Sequence, residues 1–318
     1  MVAEHFWYCM GVRGDWKAFC QMLCLTREPA KNEVCWICHA TKGNDGNLDL
    51  AYTNTECRWK GTEYQSLPWD HPDPVLTELA GFDIRMAHPD LLHCWHLGVG
   101  RDLLGAALKV LIKSQYFPGR THKQRLAAAT SSLKRFVKNH KLSFSKKKLS
   151  KPMMNWTSHE FPELRTKGAD TFAIGMWLAH LVETNPPAGL NDLSTALWTS
   201  NNVLTILARN KTFFLSDQER HQVNVLGRLF IDTYIRLAHQ AILSGERLYR
   251  TRPKFHLVQH VFLSERSLNY QRYATWVDED ANKKLMKINR STHRRTAAKR
   301  VLERWLVGVP TRLAKLRS

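Results

Sequence analysis

The stretch that decides the fold is 168-GADTFAIGMWLAHLVET-184, followed by 192-DLSTALWTSNNVLTILAR-209. In both segments, apolar side chains recur every three or four residues, which places them on one face of an α-helix. The same spacing occurs upstream in 103-LLGAALKVLIK-113. It also follows Ser216 and Glu219, which form the capping-box pattern of a helix start. The central part of the chain is therefore predicted to be all-α.

The N-terminal end shows a different pattern. Residues 5–13, HFWYCMGVR, are aromatic and β-prone, and they indicate a short buried strand. A helical pattern begins at Trp16, so Asp15 is expected where a strand passes into a helix, a frequent position of functional carboxylates in α/β sheets. Residues 26–75 are rich in turn-forming side chains. We predict a mainly α protein with a short α/β piece at the N-terminus, a cysteine-bearing loop region and a long all-α segment.

Length and composition exclude several classes of protein. The chain has 318 residues, of which 43% are hydrophobic, so a sizeable core can form and a disordered protein is not expected. No apolar run reaches the roughly 18 residues that a membrane span needs, and the first residues lack the layout of a signal peptide. We expect a soluble intracellular protein with no membrane partner.

Positive charge is concentrated in two zones. The net charge is +19, and residues 103–159 contain 13 basic and no acidic side chains. Residues 283–318 contain 12 basic side chains and a single acid, Glu303. Basic residues that serve only solubility are usually mixed with acidic ones, so these two zones favour a polyanion, above all nucleic acid, as a partner. The candidate nucleic-acid contacts are Lys146, Lys147, Lys148, Arg294, Arg295, Lys299 and Arg300.

Cys35 and Cys38 form a C-x₂-C pattern, which presents two thiolates to a tetrahedral zinc ion. Structural thiols and a redox pair are the alternatives, although a redox pair is expected after a strand and at a helix start. The sequence offers several residues that would complete a zinc site: Cys57, His39, His93, Cys94 and His96. Of these, Cys57 and His93 are chosen as the further metal ligands.

Three other groups of polar residues carry weaker signals. Asp90 and His93 form a D-x₂-H pattern, for which a helix-capping Asp with a satisfied His is the simpler interpretation. His256 and His260 share one helix face, but no Glu adjoins them as in H-E-x-x-H, so core or phosphate-contacting histidines are favoured. The acidic cluster 278–280 suits either a helix N-terminus or a divalent-metal ligand.

In order along the chain, these patterns resemble the catalytic region of eukaryotic DDE/D transposases with an RNase H-like core, in the group that includes CACTA-type and Plavaka/KDZ-like elements. Four matches carry the resemblance: Gly14-Asp15 followed by Cys35-x₂-Cys38; Asp90-x₂-His93 followed by Leu97-Gly98-Val99; Pro253-Lys-Phe-His256-x₃-His260; and Glu279-x₂-Asn282.

The resemblance implies a mechanism and a domain plan. Asp15 would be the second catalytic acid and Glu279 the third, holding Mg²⁺ or Mn²⁺ for DNA strand cleavage and transfer, with Asp278 and Asp280 as alternatives to Glu279. Asp90 and His93 would mark the entry to a helical insertion. Four divisions are implied: an RNase H-like remnant at 1–30, a C-x₂-C/D-x₂-H region at 31–100, a helical insertion at 101–252 and basic C-terminal helices at 253–318, of which the last carry the third acid.

The resemblance also implies a nuclear protein with structural zinc, and it allows a homo-oligomer. Only fourteen residues precede Asp15, which leaves no room for the strands that carry the first acid. We therefore expect a C-terminal part of a transposase, inactive alone but able to bind DNA. The alternative is a zinc-stabilised helical module that binds nucleic acid or protein without catalysis.

Overall fold

The computed structural model describes residues 11–42, 58–157 and 159–317, without the side chains of 280 and 308–317. Over these residues the protein is mainly α-helical, as predicted. The helices are α1 (Trp16–Met22), α2 (Gly100–Lys113), α3 (His122–Asn139), α4 (Gly168–Thr184), α5 (Asn191–Arg209), α6 (Asp217–Leu243), α7 (Pro253–Phe262), α8 (Trp276–Arg290) and α9 (Ala297–Arg317). A segment of wider, π-type turns, Leu92–Val99, leads into α2 and kinks at Gly98.

The chain divides into two compact units, Met1–Ala274 and Thr275–Ser318. The second unit contains α8 and α9, which pack on each other. The first unit contains α1 to α7 and three of the features described below. The four-part division at residues 30, 100 and 252 stays a prediction of the sequence.

Local sequence explains where the central helices begin. The predicted capping box of α6 is confirmed: the Ser216 side chain accepts from the Glu219 backbone, and the Glu219 side chain accepts from Ser216. Thr121 and Gln124 form the same reciprocal arrangement at the start of α3. Each box satisfies backbone N–H groups that would otherwise lack partners, which fixes the first turn.

Aromatic side chains fill the core between α6, α7 and the π-type segment. Phe230 packs against Trp95 and Phe262, with ring centroids 5.2 and 5.6 Å apart, and Tyr234 packs against Phe255 at 5.0 Å. Such rings bury large apolar areas and dominate core stability. This cluster holds α7 in place, and α7 carries residues of two of the features described below.

The sequence predicts a short α/β piece at the N-terminal end of the chain. Residues 5–10 of the predicted strand lie outside the described residues, and Val12 makes a parallel bridge to Ala87. Elsewhere in the described ranges, extended pairing is limited to similar isolated bridges. Within these ranges the structure therefore contains no sheet, and an RNase H-like remnant is not part of the described fold.

Over the described ranges, each helix falls short of the combined length and apolarity that a membrane crossing requires.

Candidate metal centre and adjoining cavity

Four metal-ligating side chains from distant parts of the chain meet in the first unit. Cys35 and Cys38 come from the loop after α1, and α7 presents His256 and His260, which lie one helical turn apart. All four are buried, and their ligand atoms lie within 4.8 Å of one another. Two thiols and two imidazoles are a standard donor set for a tetrahedral metal ion.

The distances test whether an ion fits. In a tetrahedral site with Zn–S of about 2.3 Å and Zn–N of about 2.0–2.1 Å, S···N separations are roughly 3.5 Å and N···N roughly 3.3 Å. The observed S···N distances are 3.5 Å from Cys35 to His260, 3.3 Å from Cys38 to His256 and 3.4 Å from Cys38 to His260. The two Nε2 atoms are 3.1 Å apart. The arrangement therefore matches a tetrahedral ion.

The Nδ1 atoms of both histidines, which face away from the thiols, are also hydrogen-bonded. Nδ1 of His260 is 2.9 Å from Glu63 Oε1, and Nδ1 of His256 is 3.3 Å from Gln259 Oε1. An Nδ1–H donated to an oxygen leaves the Nε2 lone pair directed at the centre, as in carboxylate–histidine–metal triads. Trp59, which is buried, packs edge-on against both rings at 4.4 and 4.7 Å. The surroundings thus hold both rings in the orientation that metal binding needs.

The local charges favour a thiolate at Cys35. Burial acts to raise the pKa of this thiol, but the hydrogen bond with Cys38 and the neighbouring His260 and His256 outweigh it and hold the pKa well below its ordinary value. A thiolate is the form of cysteine that binds a metal. Both cysteines are free, with no disulfide between them.

The ligand set differs from the one chosen in the sequence analysis. Cys57 lies outside the described residues, and His93 is bound to Asp90 instead of the cysteine pair. His256 and His260, assigned there to the core or to phosphate, are the residues beside the thiols. Their spacing of i and i+4 on one helix face is the sequence pattern that suggests a pair of metal ligands. It does not show that they meet the thiols, because 218 positions separate Cys38 from His256.

A cavity of about 420 Å³ adjoins the metal centre. Trp36, between the two cysteines, and Leu257, next to His256, are both in its wall. The ionisable residues that line it are Asp15, Lys17, Glu28, Asp90, His93, Arg252 and Lys254, together with the thiols of Cys20 and Cys94. A mostly apolar cavity with a few convergent ionisable groups is the usual form of a ligand site.

Asp90 and His93 form a close pair in this cavity. Asp90 Oδ1 accepts from the Leu92 backbone at 2.9 Å, and Oδ2 lies 2.5 Å from His93 Nδ1. This matches the simpler interpretation, a capping Asp with a satisfied His. Burial acts to lower the pKa of His93, but the hydrogen bond and charge of Asp90 outweigh it, so the pKa is raised. The imidazolium form of His93 is thereby favoured.

Asp15 and Glu279, the two catalytic candidates, lie in different units. Asp15 lines the cavity and caps α1, accepting from the Ala18 backbone at 2.7 Å. Glu279 is in the first turn of α8, where the helix dipole favours an acid. Among the described residues, the only group of three or more potential ligands with metal spacing is the Cys₂His₂ set, and Asp15 is not part of it.

Residues of the first basic zone line a groove in the same unit. It has a volume of about 610 Å³ and lies between α3 and the segment 147–151. Five lysines line it, with no carboxylate among the described residues of its wall: Lys123, Lys134, Lys147, Lys148 and Lys151. The loop is anchored on both sides, because Ser145 bonds to Asp170 and the Leu149 N–H donates to Thr130. Lys146, Lys147 and Lys148 are exposed between these anchors.

The second basic zone, residues 283–318, covers the end of α8, the turn that follows it and α9. Arg294, Arg295, Lys299 and Arg300 are all exposed, and Lys299 makes a loose ion pair with Glu303 at 3.9 Å. An exposed pair of this kind contributes little to stability, so these cations stay available for a polyanion.

Comparison with models of known protein families, with curated proteins and with solved structures gives no match. The resemblance to transposases therefore depends on the motifs of this chain alone.

Proposed function

We propose that this protein is a transposase-like, zinc-stabilised DNA-binding protein. Zinc is assigned to Cys35, Cys38, His256 and His260, and DNA contact to the lysine groove and to the basic turn and helix of the second unit. A nuclear location belongs to the same proposal, since DNA is the partner.

The lysine groove is the observation that carries DNA binding. Its five lysines lie on one concave surface without a neighbouring acid among the described lining residues. The anchored loop places Lys147 and Lys148 opposite α3, so less loop entropy is lost when a phosphate backbone enters. Phosphate contacts from lysine supply affinity that does not depend on base sequence.

The ligand chemistry supports zinc over other ions. Two thiolates with two imidazoles in tetrahedral spacing suit Zn²⁺, whereas Mg²⁺ and Ca²⁺ prefer oxygen ligands. A closed four-ligand set leaves no open position for a substrate, so the zinc has a structural role. It ties the loop 35–38 to α7 and thereby supports the wall of the cavity.

Strand cleavage is not part of the proposal for this chain. Two-metal phosphodiester chemistry needs several carboxylates around Mg²⁺. Asp15 has one oxygen bound to the α1 backbone and belongs to no preformed ligand group in the described residues. DNA binding without cleavage is therefore the function best supported.

A binding assay with a labelled DNA duplex at rising salt tests this proposal. We expect affinity to fall steeply with salt, because phosphate-bound cations displace counterions from DNA. An affinity for the duplex that does not change with salt concentration would reject the proposal. In a parallel nicking assay with Mn²⁺ or Mg²⁺, we expect no cleavage; cleavage that Asp15→Asn and Glu279→Gln both abolish would restore the catalytic interpretation.

The second candidate is a zinc-stabilised module that binds protein. Exposed apolar side chains on α8 and α9 favour it: Val277, Met286, Leu302, Leu306 and Val307. This candidate predicts a folded, zinc-loaded chain without affinity for DNA, so the salt-titration assay separates the two.

A further inference from the structure

Two aromatic rings lie at one end of the lysine groove. One wall of the groove is α3 from His122 to Lys134, a run of helix that spans about 18 Å at a rise of 1.5 Å per residue. The ring of His122 packs against Trp156, with the centroids 5.2 Å apart and the ring planes inclined at 43°. Both side chains are half-buried, so each keeps part of its surface in contact with solvent. His122 and Trp156 are called the aromatic platform below.

Lys151 connects the aromatic platform to the other wall of the groove. Its Nζ atom lies 5.0 Å from the centroid of the Trp156 ring. The backbone N–H of Trp156 donates to the Lys151 carbonyl at 3.0 Å, which holds the indole beside the groove. Lys151 is itself exposed, and a contact between an exposed lysine and an aromatic ring is weak. The ammonium of Lys151 is therefore free to leave the ring for a phosphate next to it.

Trp156 is more exposed than the apolar side chains around it. Met153 and Met154, just before it, are 8 and 0% exposed, and Leu126 of α3 is 8% exposed. The core thus takes up the neighbouring apolar groups and leaves the indole at the surface, beside five lysines and no carboxylate among the described residues of the groove wall. A basic groove with an aromatic side chain at its edge is the usual composition of a surface that binds single-stranded nucleic acid, because the cations follow the backbone and the ring stacks on a base.

The shape of the groove suits one strand better than two. A volume of about 610 Å³ over a length of about 18 Å leaves a cross-section of roughly 6 Å by 6 Å. A DNA duplex, whose major groove alone is about 12 Å wide, meets such a groove only at its rim. The cations also lie on both walls, with Lys123 and Lys134 on α3 and Lys147, Lys148 and Lys151 on the opposite segment. A single strand inside the groove is flanked by both sets.

We propose that the lysine groove binds single-stranded DNA, with one unpaired base stacked on the aromatic platform and the phosphate of that nucleotide on Lys151. The phosphates that follow lie between the lysines of the two walls. In a duplex, each base is paired and stacked within the double helix, so the platform gains a contact only with an unpaired base. This inference rests on the proposed DNA-binding function and names the form of DNA that the groove takes.

Fluorescence anisotropy on the full, zinc-loaded chain tests the inference with three labelled probes. They are an oligodeoxyadenosine strand, an abasic strand with the same number of phosphates, and a blunt duplex. We expect the abasic strand to bind about 5- to 150-fold more weakly than the strand with bases, which is the contribution of one stacked base. This comparison uses the original chain and does not depend on the folding of a variant. Equal affinity for the two strands would overturn the inference.

Trp156→Ala removes the larger ring of the platform and leaves every groove lysine in place. We expect it to weaken binding of the strand with bases by about 5- to 150-fold at each salt concentration. The steepness of the salt dependence should not change, because a stacked base displaces no counterions. Affinity for the abasic strand and for the duplex should also stay as it is in the original chain, which a variant with a damaged fold would not show.

Two further variants complete the test. Trp156→Phe keeps an aromatic ring and should recover most of the affinity for the strand with bases. Trp198→Ala, at a tryptophan of α5 that is 38% exposed and lies outside the basic zones, is the matched control and should bind as the original chain does. Equal affinity of Trp156→Ala and Trp198→Ala for the strand with bases would overturn the inference.

Failure of this inference and failure of the proposed function give different results. Salt-dependent binding of all three probes that depends neither on the bases nor on Trp156 keeps DNA on the lysines and rejects the stacked base. Absence of binding to any probe rejects the proposed function and the inference together. Binding of the strand with bases but not of the duplex supports the inference and rejects the assignment of duplex DNA to the groove.

Discussion

Removal of two groove lysines is the perturbation whose effect follows most directly from the structure. Lys147→Ala/Lys148→Ala takes two exposed cations from the loop and leaves its anchors, Ser145 and Leu149, unchanged. Each lysine that neutralises one DNA phosphate contributes about −0.9 to the slope of log affinity against log salt. If all five groove lysines do so, the groove accounts for a slope of about −4.5, and the double variant reduces its steepness by about 1.8.

The assay is fluorescence anisotropy of a labelled duplex between about 50 and 200 mM salt. Over this fourfold range of salt concentration, the affinity of the original chain should fall by a factor about twelve times larger than the affinity of the double variant. Lys31→Ala/Lys211→Ala removes the same charge from exposed sites outside the basic zones and should leave the slope nearly unchanged. An equal slope for both double variants would refute the assignment of DNA to the groove.

Three further predictions concern the metal centre, the cavity and the core. Glu63→Gln should weaken zinc binding about 10- to 100-fold, measured by competition with a chelator, because it disturbs the bond to His260 Nδ1; unchanged affinity would show that this bond does not support the metal centre. Asp90→Asn should lower the pKa of His93 in an NMR titration. The ion pair stabilises the fold fully at pH values below the pKa that His93 has in the unfolded chain, and this stabilisation is lost as pH rises through the raised pKa of His93 in the folded chain. The variant should therefore lose this pH dependence of stability. Gly227→Ala should destabilise the first unit by about 1–3 kcal/mol in denaturant unfolding, since its methyl group would lie 2.7 Å from Phe262 Cβ; an unchanged midpoint would contradict the close packing of α6 on α7.

The helical part of the fold was predictable because its signals are local. The apolar periodicity of α4 and α5 and the capping box at Ser216 and Glu219 each lie within a few turns of one helix, and the structure confirms them. The position of Asp15 at the start of α1 is also confirmed. The neighbouring strand was predicted from residues that lie mostly outside the described ranges.

The metal ligands were only half predictable for the opposite reason. Cys35 and Cys38 carry their signal in a spacing of three residues, but their partners are 218 and more residues away. The packing of α7 by Phe255 and Phe262 brings His256 and His260 to the thiols, and no local pattern encodes that contact.

If a metal ion joins the loop 35–38 to α7, the purified protein contains it, and its metal content can be measured. Elemental analysis of the chain, followed by cobalt substitution and absorption spectroscopy, reports both the ion and its ligands. We predict stoichiometric zinc and a tetrahedral cobalt spectrum with thiolate bands that Cys38→Ser and His260→Ala both alter. A folded chain without metal, or bound zinc that is indifferent to both substitutions, would contradict the account.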